Sequence, residues 1–475
     1  MKNSIFKSKK YIRWFVFVIW MIIWYLAAHF VGSELILPGP HAAFLALVRM
    51  ARTGGFWLNV LWTLLRTVLG IVISFAAGVF FAALAKRSTA VREFLRLPVN
   101  FFKSIPVMAI IIYVILVVKS DWVAVVVCFL MCFPIAYTNV LNGLDDIDIK
   151  WPELGRTLGL TEGQMVRFII RPALDTQIRT ALSLITAMSW KVVVASEVLA
   201  IPRFSIGYQM LNSKYYLETA DLFAYMIVLI ILSFAMEKLV DRMAGLASGR
   251  TGRQVERAAE QAGIITPESP GSCTVRFEEV SKSFVSDDGI RNPVLENMSA
   301  VFGPGITAVL GPSGEGKTTA ARIISGLEKE DSGEVVYEGK PRIAYLFQED
   351  RLLPWLNARD NMLLSCVSCN AAGKAPEDAV EEMAEKLEIE DALSMMPHEL
   401  SGGMAHRAAL GRTLLYGGNT VILDEPFRGL DEDLRERITG RIMKDLKPSD
   451  HERTVILITH DEELAERLAD RVIRL

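Results

Sequence analysis

The chain has 475 residues, of which 51% are hydrophobic and 22% are charged. Its mean hydropathy of +0.31 is high for a wholly soluble protein, and a formal net charge of −3 gives no electrostatic reason to expect nucleic-acid binding. The length allows two or three domains. Because a high hydrophobic content occurs together with many charged residues, we expect one membrane-spanning part and one soluble part.

Apolar runs dominate the first half of the chain and approach the roughly 20 residues that a membrane-spanning helix needs. The first run follows a basic start, and no small-residue cleavage site comes after it, so we expect an uncleaved span. The third run is short and contains Pro106, which predicts a broken or re-entrant span. The six runs are residues 14–31, 60–85, 105–118, 122–141, 178–200 and 222–239.

Basic residues fall where the positive-inside rule places cytoplasmic segments. The N-terminal segment and residues 86–103 are rich in lysine and arginine. If the N-terminus is cytoplasmic and the chain has six spans, residues 86–103 also lie in the cytoplasm. The same count places residues 142–175 and the C-terminus there. We therefore expect a multi-pass protein of the cytoplasmic (inner) membrane, with its first half in the lipid bilayer.

Ionisable residues within a span are costly and are candidates for function. Lys191 and Glu197 lie in the fifth run, and we regard them as candidate substrate-pathway residues. A structural salt bridge or an interfacial position is the alternative. The two residues are six positions apart, which places them on different faces of a helix, so we do not expect them to pair with each other.

The segment "PELGRTLGLTEGQMVRFIIRP", residues 152–172, separates two apolar runs and is helix-prone on both sides of Gly159. Leu154, Leu158 and Leu160 would form an apolar face, with charged residues such as Glu153 at its edge. A cytosolic helix of this kind can lie in a groove on another domain. The alternative is an amphipathic helix at the membrane surface.

A change of composition separates the two halves. Residues 245–272 are polar and contain glycine, serine and proline, which predicts a linker with one helical stretch at 253–261. Strand-like and helical runs alternate after it, which predicts an α/β domain over residues 273–475. Residues 1–244 would then form an all-α membrane domain with a cytoplasmic loop at 142–175.

A glycine-rich loop in the second half fits G-x-x-x-x-G-K-[ST], follows a β-rich run and opens a helix. Its backbone N–H groups can surround phosphates, and the helix N-terminus adds positive potential. Lysine in this pattern contacts the β- and γ-phosphates, and the hydroxyl that follows ligates Mg²⁺. The expected ATP contacts are Gly311, Ser313, Gly314, Gly316, Lys317, Thr318 and Thr319.

The apolar strand in "TVILDEPF" ends in two carboxylates. Asp424 would hold Mg²⁺, and Glu425 could polarise the attacking water. A solvated turn is the alternative, but the phosphate loop upstream favours the catalytic interpretation of this P-loop NTPase domain.

A second helix start follows Ser401, Gly402 and Gly403 and would also attract an anion. Because one ATP needs one phosphate loop, this second site predicts contact with a nucleotide held by another copy of the domain.

These motifs together resemble the nucleotide-binding domain of ABC transporters over most of residues 273–475. The resemblance implies a head-to-tail pair, in which Ser401, Gly402 and Gly403 contact the γ-phosphate of the other copy. It also implies Gln348 as the Q-loop residue that senses Mg²⁺, and His460 as a histidine that contacts the γ-phosphate. Asp431 would be the D-loop residue, and Phe284 would stack on adenine. The implied catalytic residues are Glu425, His460 and Gln348, and the implied Mg²⁺ ligands are Thr318, Gln348 and Asp424.

The sequence departs from the family pattern at two places, which together involve three residues. Glu315 puts a carboxylate in the phosphate loop, where it would oppose phosphate binding unless it points to solvent. Arg428 and Gly429 replace the usual small pair before the D-loop. Neither belongs to the catalytic set, so hydrolysis is still expected.

The membrane half resembles permeases of the nitrate, sulfonate and taurine importer group, and residues 152–172 resemble their EAA loop. This implies that Glu153, Gly155 and Gly159 belong to a coupling helix that contacts the ATPase. One chain would then be half of a homodimer that takes a small, anionic or polar solute from an extracytoplasmic solute-binding protein.

Two other functions remain open. An exporter often has this domain order, but typically has helices that extend into the cytosol over about 35 residues or more, and no such stretch is visible in the sequence. An ATP-binding membrane sensor with little turnover is the second alternative, against which Glu425 and His460 argue.

Overall fold

The computed structural model describes residues 2–248, 251–262, 273–286, 288–312, 314–368, 375–446 and 453–475. They form two compact units. The first comprises Met1–Asp146 and Leu174–Leu246, and the second comprises Ile147–Ala173 and Ala247–Leu475.

Residues 2–248 fold as helices joined by short connections. Five of the helices in the described part of the chain contain a stretch long and apolar enough to span a bilayer: Trp14–Val31 in α1, the whole of α3, α6 and α10, and Thr219–Arg242 in α12. The α-helices are α1 Lys2–Val31, α2 Pro40–Ala51, α3 Gly54–Arg87, α4 Thr89–Ser104, α5 Val107–Val117, α6 Ser120–Asp145, α7 Lys150–Thr157, α8 Glu162–Met165, α9 Arg171–Ala173, α10 Asp175–Ala200, α11 Ile206–Tyr215 and α12 Thr219–Ser248.

The predicted third run, residues 105–118, is helical over α5 only, and a sharp bend at its start separates α5 from α4, which covers most of the segment 86–103 predicted to be cytoplasmic. Helices α4 and α5 meet at Ile105 and Pro106 with a bend of 108°. Proline cannot donate a backbone hydrogen bond and restricts the residue before it to extended conformations, which ends α4. Counted as one span, the pair brings the total in the described chain to six. The polytopic all-α fold of this half is therefore confirmed.

Small residues allow the two central membrane helices to approach closely. A Cβ added to Gly78 of α3 would lie 2.3 Å from the Cβ of Ala136 in α6, and one added to Gly70 would lie 2.6 Å from Cys128 Sγ. Lipid chains give no hydrophobic drive for association, so such close packing is a main source of helix contact in a membrane.

The second unit is an α/β domain with two sheets. The antiparallel sheet has the order β2-β1-β4, and the parallel sheet has the order β5-β6-β7-β3-β8. Its helices and strands are α13 Thr251–Ala262, β1 Thr274–Val285, β2 Arg291–Phe302, β3 Gly305–Leu310, α14 Lys317–Ile324, β4 Ser332–Glu338, β5 Ile343–Leu346, α15 Ala358–Leu363, α16 Pro376–Leu387, α17 Gly402–Tyr416, β6 Thr420–Asp424, α18 Glu432–Leu446, β7 Thr454–Ile458, α19 Glu462–Leu468 and β8 Arg471–Arg474.

The parallel sheet sets the position of the candidate site. Strands β6 and β7 are buried along their whole length, as expected for a sheet covered on both faces. The phosphate loop follows β3, the paired carboxylates come at the end of β6, and His460 comes after β7. Ligands of parallel sheets bind at the carboxyl ends of the strands, so these groups share one edge.

The predicted division of the chain differs from the structure in two places. Residues of the 142–175 loop group with the ATPase unit, because Leu154, Leu158 and Leu160 are buried in the same apolar core as its strands. The helix expected at 253–261 is present as α13, but it is packed, with Val255 and Ala259 fully buried. Their four-residue spacing forms an apolar stripe on one helix face. Residues 249–250 and 263–272 of the predicted linker lie outside the described residues.

Candidate functional site

The phosphate loop depends on two glycines with left-handed backbone. Gly314 has φ +96° and Gly316 has φ +90°, values that side-chain-bearing residues rarely adopt. A Cβ on Gly316 would also lie 2.7 Å from the carbonyl oxygen of Val294. The loop therefore needs glycine at 316 for both conformation and space.

Lys317 lies inside the curve of this loop. Its Nζ donates to the carbonyl oxygens of Gly311, at 2.5 Å, and Pro312, at 2.6 Å. Thr319 is half-buried in the first turn of α14. Ser313 lies outside the described residues. The ammonium is thus held at the start of the phosphate loop, directly after β3.

Thr318 and Asp424 offer oxygen ligands to a divalent cation. The Thr318 Oγ1 donates to Asp424 Oδ2 at 3.1 Å. Burial raises the pKa of Asp424 to about 6. A hydroxyl and a carboxylate side by side, facing the phosphate loop, suit Mg²⁺, which prefers hard oxygen ligands and is shared with substrate phosphates. These two residues fit the predicted metal site.

The raised pKa of Asp424 predicts pH-dependent Mg²⁺ use. The carboxyl group must lose its proton to bind a cation, so binding is favoured above pH 6 and weakened below it. With the acid about three-quarters protonated at pH 5.5, the free Mg²⁺ needed for half-maximal ATPase should rise about fourfold relative to pH 7.5. Magnesium titrations corrected for protonation of ATP would measure this. An unchanged requirement would contradict the assignment.

Glu425 is held in an uncommon conformation beside His460. Its φ of +52° is rare for a residue with a side chain. The Oε1 atom lies 2.7 Å from His460 Nδ1 and accepts from the His460 backbone N–H at 3.0 Å. Strain of this kind occurs at functional sites where the surroundings impose it. The carboxylate is therefore oriented at the end of β6 by groups at the end of β7.

The remaining predicted nucleotide contacts lie on the surface of the unit. Gln348 is exposed after β5, and its carbonyl oxygen accepts from Arg428 Nη1 at 3.4 Å. Phe284 is 42% exposed, with Lys282 Nζ at 5.4 Å from its ring centroid. Glu315, whose carboxylate would oppose phosphate binding unless it points to solvent, is exposed.

Two of the motif residues cap helices. Ser401 caps α17 by accepting from the backbone N–H of Met404 at 3.3 Å. Asp431 accepts from the N–H of Leu434 at 2.9 Å at the start of α18. Gly402 and Gly403 form the first turn of α17. The Ser401 cap satisfies one N–H of this first turn. The positive end of α17 is where an anion would bind, and contact of the Ser401 segment with a γ-phosphate stays a prediction.

Helix α7 of the 142–175 loop carries a buried carboxylate that joins the ATPase core. Glu153 is only 5% exposed, so our expectation that it lies at the edge of the apolar face is wrong. Arg322 donates to both its oxygens, at 2.6 and 3.0 Å, and Arg351 donates to Oε2 at 2.8 Å. The two guanidinium groups compensate the charge and make this burial tolerable.

These contacts also keep the carboxylate ionised. Burial alone would raise the pKa of Glu153, but the hydrogen bonds from Arg322 and Arg351 outweigh it and leave the pKa below its ordinary value.

The other two predicted coupling residues are glycines in close contact. A Cβ on Gly155 would lie 2.5 Å from Met165 Cε, and Gly159 has φ +63° with Tyr416 Oη 3.1 Å from its ideal Cβ position. The loop is further joined to the unit by Ser368 Oγ, which donates to the carbonyl oxygen of Leu158 at 2.6 Å. The segment therefore folds as helix, glycine turn and helix against the ATPase.

The candidate pathway residues are in different environments. Lys191 is exposed on α10. Glu197 is fully buried and accepts from Thr63 Oγ1, from Arg66 Nη1 at 3.0 Å and from the Gly207 N–H at 3.1 Å. These contacts hold α3, α10 and the start of α11 together. A role of Glu197 or Lys191 in the pathway stays a prediction.

Several contributing residues were not predicted. Arg322 and Arg351 hold Glu153, and His406 lies between the segment after Gln348 and the segment of Glu425. No local motif marks them, because their roles depend on contacts with distant parts of the chain.

Comparison with known proteins matches both halves. Residues 70–253 match the family model "Binding-protein-dependent transport system inner membrane component", and residues 295–428 match the model "ABC transporter".

Relatives and solved structures resemble the ATPase part. The aliphatic sulfonates import ATP-binding protein SsuB of a Bacillus cereus strain is 35% identical over 207 residues, which cover 42% of this chain and 80% of that protein. The protein of the same name from Delftia acidovorans is 38% identical over 186 residues, which cover 38% and 72%. The dimeric ATP-binding cassette MJ0796 with ADP and Pi aligns at 27% identity and a TM-score of 0.39, over 42% of this chain and 94% of that one. The chain belongs to the ABC transporter family, as an importer-type member that carries a permease domain and an ATPase domain and couples ATP hydrolysis to transport.

Proposed function

We propose that two copies of this chain form a homodimer that takes up a small solute across the cytoplasmic membrane by alternating access. An extracytoplasmic solute-binding protein delivers the solute. The observation that carries the proposal is the contact of Glu153 with Arg322 and Arg351. It docks the permease's loop on the ATPase, as an importer with a coupling helix requires.

The two arginines connect this loop to the nucleotide site. Arg322 belongs to α14, the helix that begins with Lys317 at the phosphate loop. Arg351 follows Gln348 by three residues, and its backbone is held by Arg412, whose Nη1 donates to the Arg351 carbonyl oxygen at 3.0 Å. Closure of the ATPase around ATP would move α14 and the Gln348 segment, and both movements would act on Glu153.

The chemistry within the ATPase follows from the groups at the strand ends. Lys317 would bind the β- and γ-phosphates, and Thr318 and Asp424 would hold Mg²⁺, which neutralises phosphate charge during hydrolysis. Glu425, oriented by His460, would accept a proton from the attacking water. His460 is largely exposed while its Nδ1 contacts Glu425, and it would also contact the γ-phosphate.

The paired arrangement is supported by the capped start of α17. Ser401, Gly402 and Gly403 begin a helix other than the one that follows the phosphate loop. In a head-to-tail homodimer, this start would complete the nucleotide site of the second copy, with two ATP molecules at the interface. A symmetric pair is the usual solution for a protein that carries half of a site.

The importer relatives indicate the class of solute. Both named relatives are described as aliphatic sulfonate import proteins. We therefore favour a small organic anion. An exporter is less well supported, because the longest helix in the described chain has 34 residues and is the apolar α3, and it leaves no long cytosolic extension.

ATPase rates in lipid nanodiscs test this function. Purified solute-binding proteins, each with its solute, would be added one at a time to the full-length protein. One loaded protein should raise the rate several-fold above the rate with the same protein unloaded. A high rate that ignores every binding protein and responds to lipids or drugs would contradict import and favour export. ATP binding without turnover would favour a sensor.

A further inference from the structure

His406 is a buried residue of α17 that no motif identified. It lies five residues after Ser401 and is 3% exposed. Its Nδ1 lies 2.8 Å from Asp350 Oδ1, and its Nε2 lies 3.1 Å from the carbonyl oxygen of Glu425 and 3.0 Å from that of Pro426. Each ring nitrogen therefore contacts a different functional segment.

The Nε2 side of the ring acts on the backbone that carries Glu425. A carbonyl oxygen can only accept a hydrogen bond, so Nε2 must donate. Glu425 has the left-handed φ of +52°, which persists only where the surroundings over-determine it. The bonds from His406 to Glu425 and Pro426 supply part of that constraint, and the Glu425 backbone N–H adds a bond to the carbonyl oxygen of Ile458 at 2.9 Å.

The Nδ1 side of the ring connects to the segment that follows Gln348. Asp350 is two residues beyond Gln348, and its backbone carbonyl accepts from Arg412 Nη2 at 2.9 Å. Arg412 also donates to the carbonyl oxygen of Arg351 at 3.0 Å. This segment is thus fixed from α17 by two side chains, and Arg351 in turn holds Glu153.

We propose that His406 is a positioning residue for ATP hydrolysis. Its Nε2 holds the backbone of Glu425, and its Nδ1 links that backbone to the segment after Gln348 through Asp350. This inference rests on the proposed role of Glu425 as the base. Displacement of a reacting group by about 1 Å can cost on the order of 100-fold in rate. Loss of the ring should therefore lower turnover, while the ATP-binding groups at the phosphate loop are untouched.

Two substitutions separate the halves of the ring. In His406→Gln, the side-chain amide can reach the Nε2 position and still donate to the carbonyl oxygens of Glu425 and Pro426. In His406→Asn, the amide reaches only the Nδ1 position, near Asp350. Asparagine and alanine at 406 lose the bonds to the Glu425 segment and should lower kcat by about 10-fold or more. Glutamine loses only the contact with Asp350, which holds Glu425 indirectly, and should retain kcat within about threefold of the native protein.

The measurement is kcat and KM for ATP of the full-length protein in nanodiscs, with nucleotide affinity followed by a fluorescent ATP analogue. We expect KM and affinity within about twofold of native for all three variants, since a transition-state effect lowers kcat without weakening ground-state binding. His398→Asn, at an exposed histidine, is the matched control and should match the native enzyme.

Equal kcat for the glutamine and asparagine variants, an alanine variant with native kcat, or a KM that rises as kcat falls would each overturn the proposal. Glu425→Gln measured in parallel keeps the two claims apart. If that variant turns over normally, the assignment of the base fails, and if it is inactive while the 406 variants are native, only the role of His406 fails.

Discussion

Replacement of Glu425 by glutamine is expected to lower ATP turnover by about 10²–10⁴-fold, the range typical of a lost general base. The amide keeps the shape and can still contact His460, whose Nδ1 lies 2.7 Å from Glu425 Oε1, but it cannot accept a proton from water. Lys317, Thr318 and Asp424 are unchanged, so Mg²⁺ and ATP should still bind. Phosphate release and binding of a fluorescent ATP analogue, measured on one preparation, give both quantities.

A matched control for this variant is Glu432→Gln, an exposed carboxylate in the first turn of α18. Glu432 lies beyond the end of β6, so the Glu432→Gln protein should hydrolyse ATP at the native rate. A Glu425→Gln protein that binds and hydrolyses ATP normally would contradict the role of Glu425. A protein that no longer binds ATP would show that the residue acts in binding rather than in chemistry.

Replacement of Glu153 by glutamine is expected to lower solute uptake per ATP hydrolysed by at least about 10-fold. The change leaves Arg322 and Arg351 facing a neutral group at a buried position, and loss of one partner of a buried ion pair typically costs about 3–5 kcal/mol. A tenfold shift needs only about 1.4 kcal/mol. The phosphate loop and the Glu425 site are untouched, so hydrolysis should continue without effective transport. Uptake and phosphate release in the same proteoliposomes give the ratio.

Arg156→Gln is the matched control, because Arg156 lies on the same helix α7 and is exposed. Its ratio of uptake to hydrolysis should equal the native ratio. If Glu153→Gln transports with native efficiency, the contact with the two arginines does not transmit the work of ATP hydrolysis. If Arg156→Gln is equally impaired, the helix rather than the carboxylate is responsible.

Most of the fold class and of the ATP site was predicted from local sequence motifs. The phosphate loop, the carboxylates at the end of β6 and the glycine turn at Gly159 are each encoded within about ten residues, where backbone geometry follows from residue type. The break at Pro106 was visible for the same reason. These features are enough to predict the fold class and most of the ATP site.

Long-range partners could not be predicted in this way. Arg322 and Arg351 are 169 and 198 residues from Glu153, and Arg66 is 131 residues from Glu197. A sequence shows that a charge needs a partner but not which distant charge supplies it. Glu153 was therefore predicted at the edge of the apolar face, whereas its two arginines allow it to be buried.

Uptake by proteoliposomes tests the central claim most directly. The vesicles would contain the full-length protein with ATP and Mg²⁺ on the side of the ATPase domain. The binding protein that stimulates the ATPase, with its radiolabelled solute, would be on the other side. Our account predicts that the solute accumulates against its gradient only when ATP is present, and that Glu425→Gln prevents this accumulation. ATP-driven movement of the solute in the opposite direction, or hydrolysis without any accumulation, would contradict it.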